Sequence, residues 1–276
     1  MDRLRIGTAG IPLSTKPRDT IQGISRVNEL GLSAMELEFV QSINISKEKA
    51  PAVKEAAAKN DVALTCHGQY FINLNAQEEA KLIASRKRIL DGARRADECG
   101  AWSICFHMAF YLKEDPLKVY NKVKTELKQL TRQLKDEGNK IWLRPETTGK
   151  NTQFGNLKET LMLSQEIGGV LPCIDFSHLH ARDNGKWNTY EEFCSILADV
   201  EKYIGREGLD NLHIHLAGIE YSVKGERRHL PLQESDMNYK DLVKAWKEFR
   251  IKGVVVAESP IMEKDALLLS KLYTEG

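Results

Sequence analysis

Short apolar runs alternate with longer amphipathic stretches from one end of the chain to the other, and eight such cycles can be counted. The apolar runs fall at 4–8, 34–39, 62–67, 103–107, 140–146, 171–175, 211–216 and 253–258. Each has the length of a strand. Between them, stretches such as 81–98, 117–135, 157–167 and 190–204 carry apolar residues at helical spacing. Gly31, Gly100, Gly138 and the Gly168-Gly169 pair fall where a helix should stop before the next strand. Eight βα units predict an α/β fold, a (β/α)₈ TIM barrel occupying residues 1–276 as one domain. The long segments after the sixth and seventh strands read as elaborated loops. An open doubly wound sheet is the rival arrangement, but that fold usually places a glycine-rich phosphate turn after its first strand. The segment Gly7-Thr8-Ala9-Gly10 runs into Ile11-Pro12 and offers only a bare GxxG.

Composition agrees with a folded barrel. Of the 276 residues, 42% are hydrophobic and 29% charged, enough apolar surface for a sizeable core. The opening segment Met1-Asp2-Arg3-Leu4-Arg5-Ile6 turns polar within a few residues, and no 18-residue apolar run follows. A soluble cytoplasmic chain is expected. Cys66, Cys99, Cys105, Cys173 and Cys194 form an odd set without CxxC spacing, which predicts buried free thiols rather than disulfides or a thiolate zinc site. A net charge of +1 gives no global field to draw in a polyanion, so nucleic-acid binding would need a local patch.

The chemistry of such barrels sits at the C-terminal ends of the strands. Applied here, that rule selects His67, His107, Glu146, Asp175, His215 and Glu258, one from each of six consecutive strands. Imidazoles and carboxylates at the ends of apolar strands are partly desolvated, a cost that a divalent cation offsets. The mixture favours zinc, manganese or iron over calcium or magnesium, and three nearby carboxylates could bridge two ions. The chain has seven histidines. Of the remainder, His178 follows Asp175 in a DxxH spacing and His229 lies in the loop after the seventh strand. His180 is expected at the surface. His213 is expected to face away from His215 in a structural role.

The strings Cys66-His67-Gly68-Gln69-Tyr70-Phe71-Ile72-Asn73-Leu74, Phe106-His107, Pro145-Glu146-Thr147-Thr148-Gly149, Cys173-Ile174-Asp175-Phe176-Ser177-His178 and Ala257-Glu258 resemble, in order and spacing, the motifs of the endonuclease IV family. The resemblance runs from about the second strand to the end. It implies a barrel that holds three zinc ions and cleaves duplex DNA on the 5′ side of abasic sites during base excision repair. Carried over residue by residue, it gives His67 and His107 to one zinc, with Glu146 bridging to a second that Asp175, His215 and Glu258 complete. His178 and His229 would hold the third. The family's remaining ligand there is an aspartate two residues before the last histidine, and this chain has Arg227 instead. A guanidinium cannot ligate a metal. The third site is therefore absent, weakened or completed by a neighbour such as Glu226, and Arg227 could contact a substrate phosphate directly. By the same resemblance Tyr70 and Phe71 match the residues inserted into the DNA stack. Glu146 and Glu258 are the catalytic candidates, Glu146 as the bridge and Glu258 orienting the attacking water. Lys150, Arg182, Lys186, Lys224, Arg227 and Arg228, on the loops after strands five to seven, are candidates for phosphate contacts.

Two other functions fit parts of this pattern. Sugar isomerases and epimerases of the xylose isomerase-like superfamily use a Glu–Asp–His–Glu metal quartet, which Glu146, Asp175, His215 and Glu258 satisfy. His67 and His107 build a second site that a single-metal isomerase does not need. A DNA-binding homologue with reduced catalysis is suggested by Arg227.

Overall fold

A computed structural model describes residues 1–275. Eight parallel strands form its central sheet: β1 (Leu4–Ala9), β2 (Ala34–Glu38), β3 (Ala63–His67), β4 (Ser103–Phe106), β5 (Trp142–Pro145), β6 (Cys173–Asp175), β7 (Leu212–Leu216) and β8 (Gly253–Ala257). Their order is β5-β4-β3-β2-β1-β8-β7-β6. Single parallel bridges, Leu143 to Val170 and Glu146 to Cys173, join the two ends, so the sheet is a nearly closed (β/α)₈ barrel, as the alternating pattern predicts. Strands buried on both faces should read as continuous apolar runs. The Val254-Val255-Val256 run of β8 does, with all three residues fully buried.

Helices pack outside, and their ends are written in the sequence. Asn156 with Glu159, and Thr189 with Glu192, form capping boxes that start the helices Leu157–Glu166 and Tyr190–Ile204. Gly31 ends the first helix at φ +74°, a left-handed conformation that residues with a Cβ avoid. Each strand lies within the apolar run that predicts it or within a residue or so of its ends. What the hydrophobic pattern does not describe is the rim. An antiparallel hairpin, Gly218–Ser222 with Gly225–Leu230, stands on the loop after β7. A second short pair, Ala109–Phe110 with Gln153–Phe154, ties the loops after β4 and β5 together. Among the described residues no helix is long and apolar enough to cross a membrane. All five cysteines are free, and four of them are buried.

Candidate metal centre

Parallel strands that end at one rim bring their last side chains to a common mouth. His67 closes β3, His107 follows β4, Glu146 follows β5, Asp175 closes β6, His215 lies one residue from the end of β7, and Glu258 follows β8. The structure brings these six together. Donor atoms of Glu146, Asp175, His215 and Glu258 lie within 4.8 Å of one another, and so do those of His107, Glu146 and His178 and those of Asp175, His178 and His229.

Glu146 is the centre of the group and is almost fully buried. Its Oε1 lies 3.4 Å from His107 Nε2, 3.4 Å from His178 Nδ1 and 3.3 Å from His215 Nδ1, while Oε2 is 3.4 Å from His67 Nε2. Glu258 Oε1 is 3.2 Å from His215 Nδ1. Asp175 divides its work. Oδ1 accepts from the backbone N–H of His178 at 2.7 Å and caps the short helix Phe176–Arg182, which leaves Oδ2 for the mouth.

The histidines are held in a common way. Nδ1 of His67 lies 2.7 Å from the carbonyl of Gly68, Nδ1 of His178 3.0 Å from that of Thr147, and Nδ1 of His229 3.2 Å from that of Glu258. A carbonyl can only accept, so in each ring Nδ1 carries the proton and Nε2 is left without that tie. Such outer partners fix the orientation of metal-binding imidazoles.

Burial and charge define what the mouth can bind. Burial would raise the carboxyl of Glu146, but His107 and His215 outweigh that and hold it well below the ordinary range. Glu258 is pushed up to about 8, chiefly by burial. His67 is raised to about 10: burial opposes this, and its contact with Glu146 prevails. The ring of carboxylates thus recruits protons in place of other cations. Four buried donor atoms, His107 Nε2, Glu146 Oε2, Asp175 Oδ2 and His229 Nε2, have no hydrogen-bond partner. Buried polar atoms without partners are costly. Carboxylate oxygens and imidazole nitrogens are the donor set that zinc or manganese takes. The residues fit a cluster of divalent ions.

The hairpin after β7 explains the departure at Arg227. Glu220 pairs with Arg228 and Tyr221 with Glu226, so Arg227 is the extra residue of a β-bulge. A bulge shifts the alternation by one, which puts Glu226 and His229, three residues apart, on the same side. Both face His178: Glu226 Oε2 is 3.6 Å from His178 Nε2, and the His178 and His229 rings are 5.7 Å apart. Glycines make the approach possible. A Cβ on Gly149 would lie 2.7 Å from Glu226 Cβ and 3.1 Å from His178 Cδ2, and one on Gly225 would lie 2.2 Å from the Gly149 carbonyl oxygen.

Several expectations need correction. Arg227 is exposed and paired with Glu220 at 2.8 Å, so it stands at the surface of the hairpin and is not in the place of the missing aspartate. Arg228 pairs with the same carboxylate. Arg182 is buried, and its guanidinium donates to the carbonyls of Thr148, Lys150 and Gln153 and to the Thr148 hydroxyl, so it holds the loop after β5 and is not free for phosphate. His180 is fully buried rather than at the surface, with Nδ1 2.7 Å from the Lys186 carbonyl and Nε2 3.1 Å from Asp236. His213 shares the barrel interior with His215 instead of facing away, because residues two apart in a strand point to the same side. Tyr70 and Phe71 stand at the rim, 53% and 64% exposed, with the Tyr70 ring 5.6 Å from that of His67.

Strand β2, which precedes the six strands that supply His67 to Glu258, adds two carboxylates. Glu36 is completely buried between His213 and His215. Glu38, two residues on, is pushed up to about 7 by burial and by Glu36. Their signal is visible in Ala34-Met35-Glu36-Leu37-Glu38, where acidic residues alternate within an apolar strand.

The fold and the donor set together define a (β/α)₈ barrel whose mouth is lined by side chains that could hold metal ions. More narrowly, the chain belongs to the xylose isomerase-like TIM barrel family, whose model matches residues 24–272. An uncharacterized protein of Methanocaldococcus jannaschii is 44% identical over 272 residues, 99% of this chain and 97% of that one. Endonuclease IV from Thermus thermophilus superposes with a TM-score of 0.74 at 17% identity, covering 99% of this chain and 98% of that one. A D-tagatose 3-epimerase-like protein gives 0.73 at 15% identity, covering 97% and 96%. At these identities the two structural likenesses speak for the fold, which serves both nucleases and epimerases.

Proposed function

We propose that this protein is a zinc-dependent endodeoxyribonuclease that incises duplex DNA on the 5′ side of abasic sites. One observation carries the reading: the mouth holds two groups of ligand-type side chains beyond the quartet Glu146, Asp175, His215 and Glu258. His67 and His107 flank Glu146 on one side, and His178, His229 and Glu226 adjoin Asp175 on the other. An epimerase that works with one ion has no use for either group. Manganese would suit the same donors.

Zinc at these positions would lower the pKa of water and neutralise charge growing on the phosphoryl oxygens. His67 and His107 would hold one ion, Asp175, His215 and Glu258 a second, and His178, His229 and Glu226 a third. Glu146 presents one oxygen towards His67 and the other towards His107, His178 and His215, which suits a carboxylate that joins neighbouring ions. Glu258, whose Oε1 lies 3.2 Å from His215 Nδ1 at the edge of the mouth, is placed to orient an attacking water. Tyr70 and Phe71 offer exposed aromatic faces beside the mouth, suited to wedging into a base stack left open by a missing base. Lys150, Lys186 and Lys224 on the surrounding loops are the cations offered to backbone phosphates.

The test is to incubate the zinc-loaded chain with a duplex containing one abasic site and, in parallel, with a panel of ketoses. A nick on the 5′ side of the lesion is the expected result. Epimerised ketose beside an intact duplex would overturn the proposal, and tight binding without a nick, in zinc or manganese, would reduce it to DNA recognition.

A further inference from the structure

We propose that Glu36 is a positioning residue: through Nε2 it holds the His215 ring so that Nδ1 is presented to the metal-binding mouth. Glu36 is outside the ligand set and below it in the barrel. Its Oε1 is 3.0 Å from His215 Nε2, and its Oε2 is 3.0 Å from His213 Nε2. The Thr65 hydroxyl donates to Oε2 at 2.8 Å, and His213 Nδ1 lies 3.2 Å from the Ser103 hydroxyl. Ser103, His213, Glu36, Thr65 and His215 are all fully buried. They form a continuous polar chain from the middle of the barrel to its mouth.

The direction of that chain follows from donor and acceptor capacity. An ionised carboxylate only accepts, so both imidazoles meet it with Nε2–H. In the metal-free chain His215 Nδ1 also carries a proton, which meets Glu146 Oε1 at 3.3 Å beside Glu258 Oε1 at 3.2 Å; a metal ion would take that proton's place, with Nε2–H still tied to Glu36. His213 has no place in the mouth. It lies with its ring 5.0 Å from that of His215, at 82°, and occupies the second oxygen of Glu36 so that the carboxylate cannot turn away. A buried carboxylate is costly to keep in a barrel core. A carboxylate–imidazole–metal arrangement gives it a purpose, because the outer partner sets ring orientation and raises ligand basicity.

This inference rests on the metal-binding reading of the mouth and not on the substrate. Its test is zinc affinity, measured by chelator competition in wild type and Glu36→Gln. The glutamine keeps the shape but cannot accept from both imidazoles. The expected result is a loss of roughly 10- to 100-fold in affinity for the ion that His215 holds. In parallel, ¹⁵N spectra of the zinc-loaded wild type should show His215 protonated at Nε2, with that signature blurred in Glu36→Gln. Thr65→Val, which removes only the hydroxyl that fixes Glu36, should lose affinity several-fold and carries the test if Glu36→Gln does not fold. Zinc affinity within twofold of wild type in the folded variants, with an unchanged His215 signature, would overturn the positioning role alone. A wild-type chain that binds no zinc would overturn the metal-binding reading and this inference with it.

Discussion

Glu226 Oε2 lies 3.6 Å from Nε2 of His178, across the seam between the hairpin after β7 and the short helix that follows β6. The contact exists because Arg227 bulges out of the hairpin and shifts the alternation by one residue. A carboxylate three positions before His229 thereby reaches the place expected of one two positions before it. Glu226→Gln should therefore lower the zinc content of the saturated protein by one ion per chain, read by elemental analysis. Arg227→Ala should leave it unchanged. A wild type that saturates with only two ions would remove Glu226 from the ligand set.

Glu146 touches every ligand group in the mouth, so its replacement should be the most damaging to turnover. Glu146→Gln should reduce incision of an abasic duplex by roughly a thousandfold or more, the scale of several kcal/mol of lost charge stabilisation. Far-ultraviolet circular dichroism should stay unaltered. Retained incision in a folded variant would take Glu146 out of its bridging role.

Zinc and protons compete for the same atoms. In the metal-free chain the surrounding carboxylates raise His67 to about 10 and hold His178 and His215 well above the ordinary histidine range, and burial raises Glu258 to about 8, so all four hold protons at pH 7. Binding must release those protons, about four per chain, and affinity should rise as pH is raised towards 8 and fall as it is lowered. Calorimetry in buffers of different ionisation enthalpy reads the proton count directly. Affinity that is flat between pH 6 and 8 would contradict this account of the mouth's electrostatics.

Tyr70 and Phe71 are exposed beside His67 and do not belong to the ligand set. The double replacement by alanine should weaken binding to abasic duplex by roughly 10- to 100-fold, as expected from lost aromatic stacking. Zinc stoichiometry should not change. An unaffected dissociation constant would return these two rings to the role of rim packing.

Arg182 separates a structural cation from a phosphate contact. Arg182→Ala leaves four acceptors in the loop after β5 without their donor, and should cost about 2–4 kcal/mol of stability, seen as a lower Tm. A variant of unchanged Tm with weaker DNA binding would reinstate the phosphate role.

The barrel is legible in the sequence because parallel strands buried on both faces and amphipathic helices leave different periodicities in the chain, and because β3 to β8 each carry a metal-type side chain at or next to their C-terminal end. That same rule brings His67, His107, Glu146, Asp175, His215 and Glu258 to one mouth. It fails where geometry depends on something other than strand ends. The bulge at Arg227 turns on a single unpaired residue in a hairpin whose polar sequence carries no buried pattern. The fate of Arg182 depends on carbonyls brought near by the loop after β5, which no spacing reveals. Glu36 and Glu38 are readable, since their alternation in an apolar strand is the same signal that marks the histidines. The placement of His213 follows from strand geometry alone: at a spacing of two it has to lie beside His215.

The central claim is that this mouth holds a cluster of ions and not a lone one, and the most direct measurement is zinc bound per chain, by elemental analysis after saturation and removal of excess metal. Three ions per chain is the predicted result. A single ion per chain, the loading of an isolated Glu–Asp–His–Glu quartet, would contradict it.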